Sequence, residues 1–370
     1  MLRLIAKYVP RKILLLHCVC FLFCYADIHA AKFQSIANHS SNKDSLTSNN
    51  KAANNKGYLQ IGRGLSNTSS SYMINKLVKE GSVSSLRNIN YPLEDGTTWR
   101  NNDSIIGIRL YSMLSGVALC DIYGYKRLKE LWYDWSTTSF HSINLNDDFE
   151  KYKWMDKMGH FLHAYFASSL FSRGYRWTGF TGENSVWYGA LSGWLWMLQI
   201  EIADGFFREW GFSWGDLLAN TAGSGFSLFQ QLYPDALGGI QPKISYRKSD
   251  ALKERRYNNN AKSIIDDYEG MTFWLAVNVH HYLPENIQEE CPGWLAPLGI
   301  AIGHSAKGIA NSPQGGVREI FLGLDYDLRK IPIGDESEII RFLKSELNIF
   351  RLPLPAIKLT PNGIWYGLYF

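Results

Sequence analysis

Asp156, His160 and His163 are spaced four and three apart in D-K-M-G-H-F-L-H, a spacing that puts all three on one face of a helix. Glu201 and Asp204 stand three apart in E-I-A-D-G-F, and Asp216 and Asn220 four apart in W-G-D-L-L-A-N-T-A-G. Carboxylate and imidazole are the groups that move protons in general acid–base catalysis, and they also ligate metal ions. Asp156, His160, Glu201 and Asp216 are therefore the candidate catalytic residues. Lys157, His163, Asp204 and Asn220 are candidate binding residues around them. No H-E-x-x-H or comparable ligand spacing occurs, so no metal is assigned from the sequence and the cofactor is left open.

The same residues suit a structural role. Asp156 can cap its helix, and Ser213 with Asp216 forms an S-x-x-D capping box. His160, Glu201 and Asn220 can form a buried polar clasp that fixes helix register. A catalytic site needs these side chains around an accessible pocket, whereas a clasp needs them paired and closed. The phosphate-loop, dinucleotide and serine-hydrolase motifs are absent.

Four apolar segments must position the clusters: 103–125, 156–177, 184–207 and 213–233. If neighbouring segments run antiparallel, the third ends where the second and fourth begin, and the three clusters meet. Each segment is roughly long enough to cross a bilayer. Trp177, Trp187, Trp210 and Trp214 fall near segment ends, as membrane interfaces prefer. Gly189, Gly193, Ala219 and Gly223 supply small residues for close helix packing. Beyond a basic linker at 241–262 the pattern changes to period-two alternation at 273–279, 321–328 and 364–370, with a short helix at 336–347. About five strands are too few to close a barrel, although a terminal Phe370 after alternating apolar residues has the look of such an ending. The expected fold is mainly α: a membrane-associated bundle of about four apolar helices followed by a small antiparallel β region, α+β overall.

The chain has 370 residues, 46% hydrophobic, 14% aromatic and only 19% charged, with mean hydropathy −0.19. That balance favours an envelope or membrane-associated protein over a cytosolic enzyme. The net charge of +4 is mild, and no nucleic-acid motif is present, so nucleic acid is not a partner. Arg3, Lys7, Arg11 and Lys12 followed by an apolar run at 13–25 read as an export signal within 1–30. None of Cys18, Cys20 or Cys24 sits in a lipidation box. Cys120, in an apolar segment, is expected to be buried. Residues 31–100 are Asn- and Ser-rich and read as a disordered leader. The organisation is then signal, leader, helical domain at 101–240, linker, and a β-rich region at 263–370.

The motif order D-K-x-x-H-F, then Glu201, then D-x-x-x-N-x-x-G resembles the YfiM-like family of predicted envelope lipoproteins, a domain of unknown function. That resemblance runs from about residue 132 to the C-terminus. A local resemblance to the VanZ family of small membrane proteins covers about 156–225. The shared positions are Asp156, Lys157, His160, Phe161, Glu201, Asp216, Asn220 and Gly223. Both resemblances imply a bacterial cell envelope protein, and neither implies a reaction. The expectation is an exported, membrane-bound protein with a structural or partner-binding role. Its partners would be membrane lipid and an envelope protein. The alternative is a membrane-interface enzyme or binder acting on a phosphate- or sugar-bearing lipid.

Overall fold

A computed structural model describes residues 105–131, 137–254, 256, 264–310, 312–334 and 337–370. The expected signal and leader lie outside the described residues. Helix α1 spans Gly107–Leu131, α2 Leu145–Glu150, α3 Met155–Trp177, α4 Gly182–Asp204 and α5 Trp214–Leu232. Thr181 and Ser213 cap α4 and α5, their hydroxyls accepting from Asn184 N and Asp216 N. Helices α3, α4 and α5 pack on one another. The approach is close: a Cβ on Gly223 would lie 2.1 Å from the carbonyl oxygen of Phe161.

Among the described residues no helix is long and apolar enough to cross a membrane, which overturns the expected membrane bundle of transmembrane helices. The reason is physical. A helix surrounded by protein needs apolar and small residues on several sides, and lipid asks for the same residues. What separates the two is the polar content. Ser168, Ser172, Arg173, Arg176, Ser185, Ser192, Ser224 and Gln230 are all buried on these helices. Several bond to backbone carbonyls or to other side chains of the protein, as Ser172 Oγ donates to Ser168 O at 2.8 Å, Tyr175 Oη meets Ser192 Oγ at 2.9 Å and Tyr165 Oη donates to Gln230 at 2.6 Å. Cys120 is exposed, not buried; α1 turns Leu110, Met113 and Leu114 inward instead.

The β region is also larger than expected. Strands β1 Ile240–Tyr246, β2 Met271–Asn278, β3 Leu298–Lys307, β4 Val317–Tyr326, β5 Leu354–Thr360 and β6 Ile364–Tyr369 form one antiparallel sheet in sequence order. Helix α6, Glu338–Leu347, precedes β5. The alternation read over 273–279 stops at Asn278, and His280 and His281 lie in the single turn Val279–Tyr282. One face of the sheet is covered and packs Trp274, Ala276, Ala301, Phe321 and Ala356 together with Tyr366 and Tyr369. The Arg351 guanidinium lies 4.0 Å over the Trp274 ring. Charge is buried on the same face: Lys243 Nζ pairs with Asp325 at 2.7 Å, and Lys358 Nζ with Glu319 at 2.8 Å.

Helix α3 covers one end of the opposite face, where Met155, Leu162 and Tyr165 meet Met271, Phe273, Ala306 and Ile309. His304 stands on this face between Phe273 and Ile320 in the strand register, with Nδ1 buried and unbonded. Burial, aided by Arg318, lowers its pKa to about 4. A histidine depressed in the folded state stabilises fully above its unfolded value of about 6.5 and loses that contribution as pH falls towards 4. Acid should therefore cost this fold on the order of 2 kcal/mol across that window, after discounting for partial exposure of the ring. In urea titrations at pH 7 and pH 4.5, His304→Gln should flatten the difference. An unchanged acid slope in that variant would remove His304 as its cause.

Candidate functional site

The N-terminal ends of α3 and α5 meet the C-terminal end of α4, and the side chains there form one connected cluster. His160 is its centre. Its Nδ1 lies 3.1 Å from Glu201 Oε1 and 3.2 Å from Asn220 Oδ1. Asn220 Nδ2 in turn donates to Glu201 Oε1 at 3.2 Å. The other ring nitrogen, Nε2, faces two carboxylates at longer range, Asp156 Oδ1 at 3.8 Å and Asp216 Oδ2 at 4.0 Å. Glu201 is 1% exposed and Asn220 fully buried, so each depends on these partners.

Lys157 ties the acids together from the side. Its ammonium donates to Asp148 Oδ1 at 2.6 Å and to Asp156 Oδ2 at 3.5 Å, and lies 3.0 Å from Asp216 Oδ1. Asp148 also accepts from Ser213 Oγ and Gly215 N, so the α2 carboxylate is seated on the start of α5. Tyr268, from the turn that leads into β2, donates to Asp156 Oδ1 at 2.8 Å. The entry to α3 is held just as firmly. Tyr152, Lys153 and Trp154 all have positive φ, an arrangement that costs L-residues about 1 kcal/mol or more each. Tyr152 N donates to Pro313 O, and the Tyr152 ring packs 5.0 Å from that of Tyr268.

Charge sets the protonation of the groups. Burial alone would lower the Lys157 ammonium, but Asp156, Asp216 and Asp148 outweigh it and hold it above its ordinary value. Burial likewise opposes a charged His160, yet Asp216, Glu201 and Asp156 raise it well above the usual imidazole range. Asp216 moves the other way: burial and the neighbouring Asp156 carboxylate push it up to about 7. Asp156 is lowered, because His160 and Lys157 overcome its burial. Adjacent carboxylates whose environments push them apart in this way are found at functional sites and in structural ion-pair networks alike.

Of the residues singled out from the sequence, Asp156, Lys157, His160, Glu201, Asp216 and Asn220 converge. His163 and Asp204 do not. His163 is exposed and bonds back to Gly159 O at 2.7 Å. The Asp204 carbonyl accepts from Phe207 N and Gly211 N, closing the turn after α4. Sequence reasoning missed Asp148 and Tyr268. The only signal for Asp148 was an acidic pair at a helix start, and Tyr268 gave none.

The architecture is thus a helical layer joined to one end of an antiparallel sheet, with a carboxylate–imidazole cluster where three helix ends meet. Residues 147–232 match the family described as predicted periplasmic lipoprotein (DUF2279). The match begins in α2 and ends at the last residue of α5, before the sheet, and holds every cluster residue except Tyr268. No curated protein and no solved structure matches the chain. The family match supports an exported, cell-envelope domain of unknown function.

Proposed function

We propose that this is an exported cell-envelope protein that rests on a lipid surface through the open face of its sheet, with the helical cluster acting as a clasp that keeps the supporting helices in register. One observation carries the reading: the sheet is inverted relative to one that faces water. Lys243, Glu319, Asp325 and Lys358 lie on the covered face, and Arg318 alone of the charged strand residues stands at the end of the other. The other face presents Leu275, Ile300, Ile302, Leu322, Leu324, Ile357 and Trp365, between 38% and 63% exposed. In the register Leu275, Ile302, Leu322, Ile357 and Trp365 form one continuous row across five strands. A contiguous apolar patch marks an interaction surface, and apolar-out, polar-in alternation is the pattern of strands that face lipid. Helix α6 adds to the support. Ile339, Ile340, Leu343 and Leu347 are exposed on a helix that also carries Arg341 and Lys344, the composition of an interfacial helix.

The test is flotation of the purified chain with vesicles of phosphatidylethanolamine and phosphatidylglycerol. The wild type should float with the vesicles, and Ile302→Asp with Leu322→Asp should leave it at the bottom of the gradient. If the wild type stays down, or if it self-associates through this face and ignores vesicles, the lipid reading is wrong.

A further inference from the structure

We infer that the helical cluster is a binding site for one divalent transition-metal ion, with Asp156, His160 Nε2 and Asp216 as its ligands and Glu201 as the residue that orients the imidazole. The inference rests on the geometry of the cluster and is independent of the lipid reading of the sheet. Ligand atoms of Asp156, His160 and Asp216 all lie within 4.8 Å of one another. A tetrahedral site with bonds of ~2.1 Å spaces its ligands by ~3.4 Å, so closure onto an ion needs side-chain movements of about 1 Å or less.

Three further features point to an ion and not merely to a group of acids. The first is the state of His160. Nδ1 is engaged by the Glu201 carboxylate, and Nε2 has no partner at hydrogen-bonding distance. A histidine whose far nitrogen donates to a carboxylate is oriented to present its other nitrogen to an ion, which binds there in place of that nitrogen's proton, the arrangement found behind metal-bound imidazoles. The second is Asp216, 5% exposed, whose side chain accepts no hydrogen bond. Lys157 lies 3.0 Å from its Oδ1, and its Oδ2 is turned towards His160 Nε2. Buried carboxylate oxygens are normally hydrogen-bonded; here Oδ1 is held only by the ion pair to Lys157, and Oδ2 faces the imidazole with no closer partner.

The third is charge. The carboxylates of Asp148, Asp156 and Asp216 face the ammonium of Lys157, and Glu201 faces His160, so four carboxylates meet two cationic groups. Lys157 lies against Asp156 Oδ2 and Asp216 Oδ1, leaving the opposite oxygens for the centre. Tyr268 uses one lone pair of Asp156 Oδ1 and leaves the second. Buried negative charge in that excess calls for a further cation. The donor set, one imidazole and two carboxylates without thiolate, suits Zn²⁺, Mn²⁺ or Fe²⁺. Asp156 and His160 keep side-chain exposures of 20% and 18%, so the fourth position opens towards solvent. Three protein ligands with one position open is the coordination of zinc sites that bind a further group.

The experiment uses the full chain stripped with EDTA, dialysed and titrated with ZnCl₂ and with MnCl₂ in a calorimeter. One equivalent of at least one of the two ions should bind, and the thermal midpoint should rise with its concentration. Asp156→Asn should weaken binding at least 100-fold. Glu201→Gln, which keeps the shape and weakens the orienting bond, should weaken it 10- to 100-fold. His163→Gln, a neighbouring imidazole outside the site, should bind as the wild type does. X-ray absorption at the zinc edge of the wild type should show nitrogen and oxygen ligands and no sulfur, a readout that does not depend on any variant folding. Absence of stoichiometric binding of either ion, sulfur in the first coordination shell, or unchanged affinity in a folded Asp156→Asn variant would each overturn the assignment.

Discussion

Replacing Lys157 by Met should destabilise the chain by about 3–5 kcal/mol, the cost of breaking a buried ion pair from one side. The ammonium is 8% exposed and lies within 3.5 Å of Asp148, Asp156 and Asp216. Methionine fills the same channel with similar volume, so the change tests charge and not packing. Without the ammonium, three carboxylates that converge on it are left in poor solvent. Asp148 keeps its bonds from Ser213 and Gly215, whereas Asp216 keeps no side-chain bond at all. The loss should appear as a lower denaturation midpoint in urea with unchanged slope. Adding Asp216→Asn to the variant should recover part of it, because removing the second charge removes the imbalance. A Lys157→Met protein as stable as the wild type would mean that the carboxylates are already neutralised another way.

The second large effect belongs to the contact between α3 and α4. A Cβ on Gly193 would lie 2.3 Å from Ser168 Oγ and 2.6 Å from its backbone nitrogen; one on Gly189 would lie 2.0 Å and 2.5 Å from the same atoms of Ser172. Backbone cannot yield as a flexible side chain can. Gly193→Ala should therefore force the helices apart and cost about 3 kcal/mol or more, at the upper end of overpacking penalties. The sign is informative, since alanine in a helix interior is ordinarily worth about 0.5–1 kcal/mol over glycine. Gly225 in α5 is the internal control: nothing lies within 4 Å of its would-be Cβ, and Gly225→Ala should stabilise by that amount. Thermal melts of the two variants should move in opposite directions. If both rise, the helices are not in the close contact described.

The cluster was legible to the extent that it follows from helical spacing. His160, Glu201, Asp216 and Asn220 sit near helix ends in apolar surroundings, and antiparallel packing of consecutive helices brings those ends together. Tyr268 is 112 residues from Asp156, and no local pattern announces such a partner. The membrane reading failed because apolar periodicity records burial without recording what does the burying. In the sheet, β2 and β6 fall along period-two runs of the sequence, but β1 carries Pro242 and a buried Lys243. In β3 the covered face is lined by Gly299, Ala301, Gly303 and Ser305, small residues that give little hydrophobic contrast. The basic residue of β1 is legible only afterwards, once Asp325 is seen beside it.

The sheet pairs every strand with its immediate successor, while the ties between the helical layer and the C-terminal region span long stretches of chain: Tyr268 to Asp156, and Arg173 on α3 to Glu346 on α6. Folding time is governed by the separation of the residues that must meet. The helices and the strand meander can each organise from local contacts, and docking one on the other carries most of the loop-closure entropy. By that measure the bond from Tyr268 to Asp156, closing 112 residues of chain, is among the contacts of the cluster whose formation costs the most loop-closure entropy.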